Sequence, residues 1–163
     1  MTASREAEGG ASRGGAWLRL LVVIVVVVVV DQVSKEVVID SLEPGERVEV
    51  ALGVDLARVS NSGIAFGLLG DASGGLVLAI TAASLALIVA WFAFDPLRSG
   101  MWLAIGLLVG GALGNLADRI REQAVTDFID PPLWPAFNLA DVAITAGAVT
   151  LVVVTLAGIR EPR

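Results

Sequence analysis

The sequence contains no cysteine, no histidine and no tyrosine, and its only lysine is Lys35. Without cysteine there is no disulfide and no thiolate nucleophile. Without histidine there is no Ser–His–Asp relay, and lacking both there is no ordinary zinc site. The groups left for proton transfer are carboxylates and one amine, so any hydrolysis here is carboxylate chemistry or the work of a Ser/Lys pair. No metal site and no cofactor motif is visible. The formal net charge of −6, with no basic cluster, argues against nucleic acid as a partner. No internal repeat is present.

Apolar residues are what the chain has in excess: 56% hydrophobic, with a mean hydropathy of +0.81. That is too apolar for a soluble domain of this size, so the bilayer is the expected solvent. Crossing about 30 Å of hydrocarbon takes roughly 17 to 25 apolar residues. Four stretches qualify: Ala16 to Val38, Gly74 to Phe94, Gly100 to Ala117, and Leu139 to Ile159. The first, with "LVVIVVVVVV", ends in Asp31 rather than a small-residue cleavage site, so it reads as a retained helix. An even number of spans puts both termini on one side, and the arginine distribution favours the cytoplasm for them by a thin margin.

Residues 1–15, "MTASREAEGGASRGG", are too small and polar to order themselves and read as a disordered cytoplasmic tail; residues 16–163 read as one domain. Between the first two spans, "RVEVALGVDLARV" alternates apolar and polar positions, the period of a strand. The expected fold is an all-α membrane protein of four transmembrane helices, with a small extracytoplasmic sheet or hairpin over residues 46–66. Gly106, Gly110 and Gly114 recur every four residues and predict close approach to a neighbouring helix.

Several polar residues need a reason to sit in such a chain. A carboxylate at Asp31 is expensive within a span unless paired, and Lys35 stands at i+4 to pair it; a helix-end ion pair and a catalytic role both fit. Asn61, in "NSGIAF", can cap a turn or hydrogen-bond an extended peptide. In "GNLADR", Asn115, Asp118 and Arg119 share one helix face, although charges at helix ends often only mark an interface. Asp127, in "VTDF", falls in a loop among apolar neighbours that raise a carboxyl's pKa. Asp141, in "FNLAD", lies in the first turn of the last helix beside Asn138, where the helix dipole favours a carboxylate. Two carboxylates brought together in a dry site share a proton, which provides both a base for water and an acid. Taken singly, "VTDF" or "FNLAD" fits capping or solvation of the loop better than catalysis; the set taken together favours catalysis.

In order, "DQVSK", "NSGIAF", "GNLADR", "VTDF" and "FNLAD" resemble the motifs of the lipoprotein signal peptidases, signal peptidase II. The resemblance covers essentially the whole chain after the tail. It implies a monomeric aspartyl endopeptidase of the bacterial inner membrane, acting near the outer face on lipid-modified prolipoproteins among membrane lipids. Asp127 and Asp141 would be the catalytic dyad. Asp31, Lys35, Asn61, Asn115, Asp118, Arg119 and Asn138 would shape the site or bind substrate, with Asn61 and Arg119 as the substrate contacts. The proline content of "PPLWP" and its Trp134 suggest a gate over the substrate. Two other classes compete: a peptidase pairing Lys35 with Ser34, Ser60 or Ser62, and a proton-coupled transporter or assembly factor.

Overall fold

The computed structural model describes residues 12–51, 53–62 and 73–159. Its elements are α1 (Arg13–Ser41), β1 (Arg47–Ala51), β2 (Val54–Asn61), α2 (Ser73–Phe94), α3 (Met101–Glu122), β3 (Val125–Asp130) and α4 (Leu139–Ile159). Among the described residues, three helical stretches are long and apolar enough to cross a membrane: Arg13–Ser41, Met101–Glu122 and Leu139–Ala157. In α2 the apolar part is the shorter Leu78–Phe94. The first helix begins inside the stretch expected to be a tail, because the Ser12 hydroxyl accepts from Gly15 N at 3.0 Å and caps it.

The central helix is α3, packed against α1, α4 and α2. Glycine makes this possible. A Cβ built at Gly106 or Gly110 would lie 2.8 Å from Val23 or Val27 of α1, and one at Gly114 would lie 2.5 Å from the Asp31 carboxylate. The expected four-residue stripe is therefore the α1 contact. A second close approach was not foreseen: Gly111 meets the Ala140 carbonyl of α4, and Gly147 of α4 meets the Leu108 amide at 2.8 Å from its would-be Cβ. Between lipid-facing helices no hydrophobic force acts, so close packing of this kind is a main source of association. At one end of the bundle Ala16, Leu20, Phe92, Met101, Ile105 and Val109 form the core.

At the other end lies an antiparallel sheet of order β1-β2-β3. The alternation predicts the hairpin but not the third strand: Asp127, expected in a loop, sits in β3, opposite Val59. Its alternation was hidden by a polar side chain at a buried position. The left-handed conformation of Gln123 (φ 58) ends α3 and turns the chain into β3. All of β1 is exposed, so the sheet meets the helices through β2 and β3, with Phe128 against Val38 and Leu42. Arg58 fastens β2 to α1 by donating to the Ile39 and Leu42 carbonyls at 3.0 and 2.9 Å. Of "NSGIAF", Gly63 to Phe66 lie outside the described residues.

Gly147→Ala should cost about 1–3 kcal/mol through overpacking, seen as a lower melting temperature in detergent. Gly75→Ala, where an added Cβ meets nothing within 4 Å, should leave melting unchanged or slightly raised.

Candidate active site

α4 starts with a reciprocal cap. The Asn138 side-chain oxygen accepts from Asp141 N at 3.0 Å, and the Asp141 carboxylate accepts from Asn138 N at 3.2 Å. The amide end of the same Asn138 side chain donates to Asp127 Oδ1 at 2.7 Å. One buried asparagine therefore touches a carboxylate from β3 and a carboxylate from α4, which are 14 positions apart in the chain (141 − 127). Asn61, the last residue of β2, donates to the other oxygen of Asp127 at 2.9 Å. Asn115 of α3 donates to Asp141 Oδ1 at 2.9 Å.

A charged cluster lies beneath this pair. The Lys35 ammonium is 2.8 Å from Asp31 Oδ2, 2.8 Å from Asp118 Oδ2 and 3.0 Å from Asn115 Oδ1, and the residue is 2% exposed. The second oxygen of Asp31 accepts from Ala140 N at 2.9 Å, so a carboxylate of α1 occupies the positive N-terminus of α4. Asn115 Oδ1 accepts from Lys35 and also from Asn138 at 3.1 Å, filling both lone pairs while its amide holds Asp141. Among the described contacts Arg119 bonds only its own helix, at the Asn115 carbonyl (3.3 Å), and reaches neither Asp127 nor Asp141.

Gln32, inside the quoted "DQVSK", was not singled out from sequence, yet it completes the cluster. Its amide donates to Asp118 Oδ1 at 2.8 Å and its carbonyl accepts from Arg121 at 3.1 Å. The available signal was an unpaired amide beside Asp31 near the end of an apolar run. The Ser/Lys alternative fits poorly: Lys35 is held by two carboxylates, and the Ser34 hydroxyl turns back to the Asp31 carbonyl at 2.7 Å. A cleft of about 570 Å³ opens beside the sheet, around Arg47, Arg58, Ser60 and Thr126; of the candidate residues only Ser60, from the Ser/Lys alternative, lines it, and neither Asp127 nor Asp141 does.

Burial pushes the Asp127 carboxyl above the ordinary aspartate range, and the nearby charge of Asp141 adds to the rise. Hydrogen bonds from Asn61 and Asn138 and the Lys35 ammonium offset part of it. Among the described residues no group of three or more Cys, His, Asp or Glu side chains is arranged to hold a metal ion.

Residues 23–157 match the family model described as signal peptidase (SPase) II. The chain belongs to the signal peptidase II family. It is 38% identical to the lipoprotein signal peptidase of Moorella thermoacetica over 123 residues, covering 75% of this chain and 82% of that protein. It is 41% identical to that of Syntrophomonas wolfei over 138 residues, covering 82% and 91%. A solved structure titled as a bacterial membrane enzyme is 31% identical, with a TM-score of 0.78 over 88% of this chain and 91% of that one. Family membership makes the protein a membrane peptidase, and so a hydrolase.

Lys35→Met would strand Asp31 and Asp118 as uncompensated buried charges, and should cost about 3–5 kcal/mol of stability. Thermal melting in detergent should show the loss, with partial recovery in the Lys35→Met/Asp118→Asn double variant.

Proposed function

We propose that this protein is an aspartyl endopeptidase that removes signal peptides from diacylglyceryl-modified prolipoproteins, cutting before the lipidated cysteine. The single observation that carries the reading is the convergence of Asp127 and Asp141 on Asn138. The names of the relatives, lipoprotein signal peptidases, support the substrate class. α2 makes the fourth crossing in this reading, residues 16–163 act as one domain, and the chain works as a monomer. The termini and the tail face the cytoplasm of a bacterial cell, and the sheet and dyad lie at the outer face of its inner membrane.

In the proposed chemistry Asp141 enters as the carboxylate and Asp127 as the acid. Water held between them gives a proton to Asp141, and its oxygen adds to the scissile carbonyl, whose oxygen takes the proton of Asp127. The resulting gem-diol returns a proton to Asp127 while Asp141 delivers its own to the leaving nitrogen, so the C–N bond breaks and both carboxyls regain their starting states. No acyl-enzyme forms.

In this reading further residues support the pair. Asn115 and Asn138 orient the two carboxylates as neutral amides, adding no charge that would fix the proton on one side. Lys35, with Asp31 and Asp118, anchors Asn115. Asn61 lies at the exposed end of β2 beside Asp127, suited to contact the extended peptide around the scissile bond. Arg119 is assigned to substrate contact by family resemblance alone.

Asp127→Asn and Asp141→Asn should each lose cleavage of a diacylglyceryl-modified prolipoprotein by about 10²–10⁴-fold or more while melting as folded proteins. A folded variant that cuts at the wild-type rate removes its residue from the dyad.

A second expectation concerns pH. A carboxyl whose folded pKa is raised contributes stability at low pH that is lost as pH rises through the folded value. Activity needing the acid form of Asp127 should fall over the same window. Asn61 lowers the Asp127 pKa, so Asn61→Ala should move the alkaline limb of the kcat/KM profile to higher pH; a shift to lower pH contradicts the assignment.

A further inference from the structure

The loop joining β3 to α4 exposes Leu133 and Trp134. Leu133 is 96% exposed, more than any other large hydrophobic residue among those described, and Trp134 is 70% exposed. This is a fixed projection, closed at its base where Phe128 N and Ile129 N donate to the Phe137 carbonyl and Phe137 N donates to Ile129 O at 2.9–3.0 Å. Across residues 131–136, "PPLWPA", three of six residues are prolines without an N–H, and Trp134 N donates to the Pro131 carbonyl at 3.4 Å. The missing N–H groups leave fewer backbone donors to be stripped of water when such a segment settles at a bilayer interface, where its carbonyls can stay hydrated.

The other tryptophans show what surrounds this projection. Trp17 opens α1, Trp91 ends α2 and Trp102 opens α3. They gather at one end of the bundle, where Trp17 packs edge-on against Phe92 at 4.9 Å and Arg19 lies over Trp102 at 5.9 Å. Trp134 stands alone at the opposite end, just beyond the start of α4. The 21 residues of α4 span about 30 Å, one hydrocarbon thickness. Tryptophan is enriched at both interfaces of a bilayer, so three rings mark one interface and the fourth marks the other.

We propose that residues 131–136 form an interfacial anchor, with Leu133 and Trp134 seated among the lipids of the bilayer face next to Asp127 and Asp141. The lipid surface of the helices continues into the loop, and the anchor rests against β3 and the cap of α4, the two elements that carry the carboxylates. On the peptidase reading, it also fixes the depth at which a membrane-tethered peptide is cut; the anchoring itself does not depend on that reading.

The absence of cysteine makes the test simple. Leu133→Cys and Trp134→Cys each give a unique thiol for a nitroxide label, at positions too exposed for the change to disturb the fold. Labels at Val153, exposed on α4, and at Glu49, on the exposed strand β1, provide the comparison. The labelled proteins are placed in phosphatidylglycerol vesicles, and collisions with oxygen and with a water-soluble nickel chelate are measured without substrate. The expected result is loss of nickel collisions at 133 and 134, as at 153. Free access of nickel at both positions, as at 49, overturns the proposal. Access that is lost only when a lipidated signal peptide is added also overturns it, and makes the loop a substrate contact. No cleavage is needed for the readout, so inactivity of the enzyme would leave the result intact.

Discussion

Lys35 carries the only ammonium side chain in the protein, and it is buried between Asp31 of its own helix and Asp118 of α3. A charge in such a place is tolerated only when its partners are fixed, and each partner here is fixed by something else. Asp31 uses its second oxygen to cap α4, while Gln32 holds Asp118. One cation thereby ties α1, α3 and α4 together at a single level. That level lies directly beneath the two carboxylates read as the dyad.

The link from this charged layer to those carboxylates is made of amides. Asn115 accepts from Lys35 and donates to Asp141, and Asn138 contacts Asp141 and donates to Asp127. Amides can fix the geometry of both carboxylates without setting a full charge beside either. The raised pKa of Asp127 is consistent with this: desolvation and the neighbouring Asp141 outweigh the hydrogen bonds and the more distant lysine. A site built from asparagine can keep a proton mobile between two acids; one with an ammonium in direct contact would hold both ionised.

None of this would assemble if the helices stood at ordinary separation. The close approach of α1 and α4 to α3, through Gly106, Gly110, Gly111, Gly114 and Gly147, brings Asp31, Lys35, Asn115 and Asp118 within hydrogen-bond reach. Glycine packing and polar chemistry are therefore coupled. A Cβ at Gly114 would collide with the Asp31 carboxylate itself, so the packing residue and the charged residue occupy the same space.

Local pattern determined much of this protein. Runs of apolar residues gave the four helices of the described residues, α4 with the observed limits of residues 139–159, because helix length and hydropathy are properties of contiguous residues. Alternation gave β1 and β2, and a four-residue glycine spacing gave one helix contact. The missing residue types confined the chemistry to carboxylates and one lysine, and the ordered motifs pointed to the family. Tertiary structure decided what no local period encodes. It turned "VTDFID" into a third strand, because Asp127 is a polar side chain directed inward. It set Asp31 on the end of a helix more than a hundred residues away, gave Gln32 its role, and drew Arg119 back onto its own helix. It also brought Asp127 and Asp141 onto one asparagine, since a hydrogen bond between elements depends on where the backbones meet in space, and spacing along the chain does not record that.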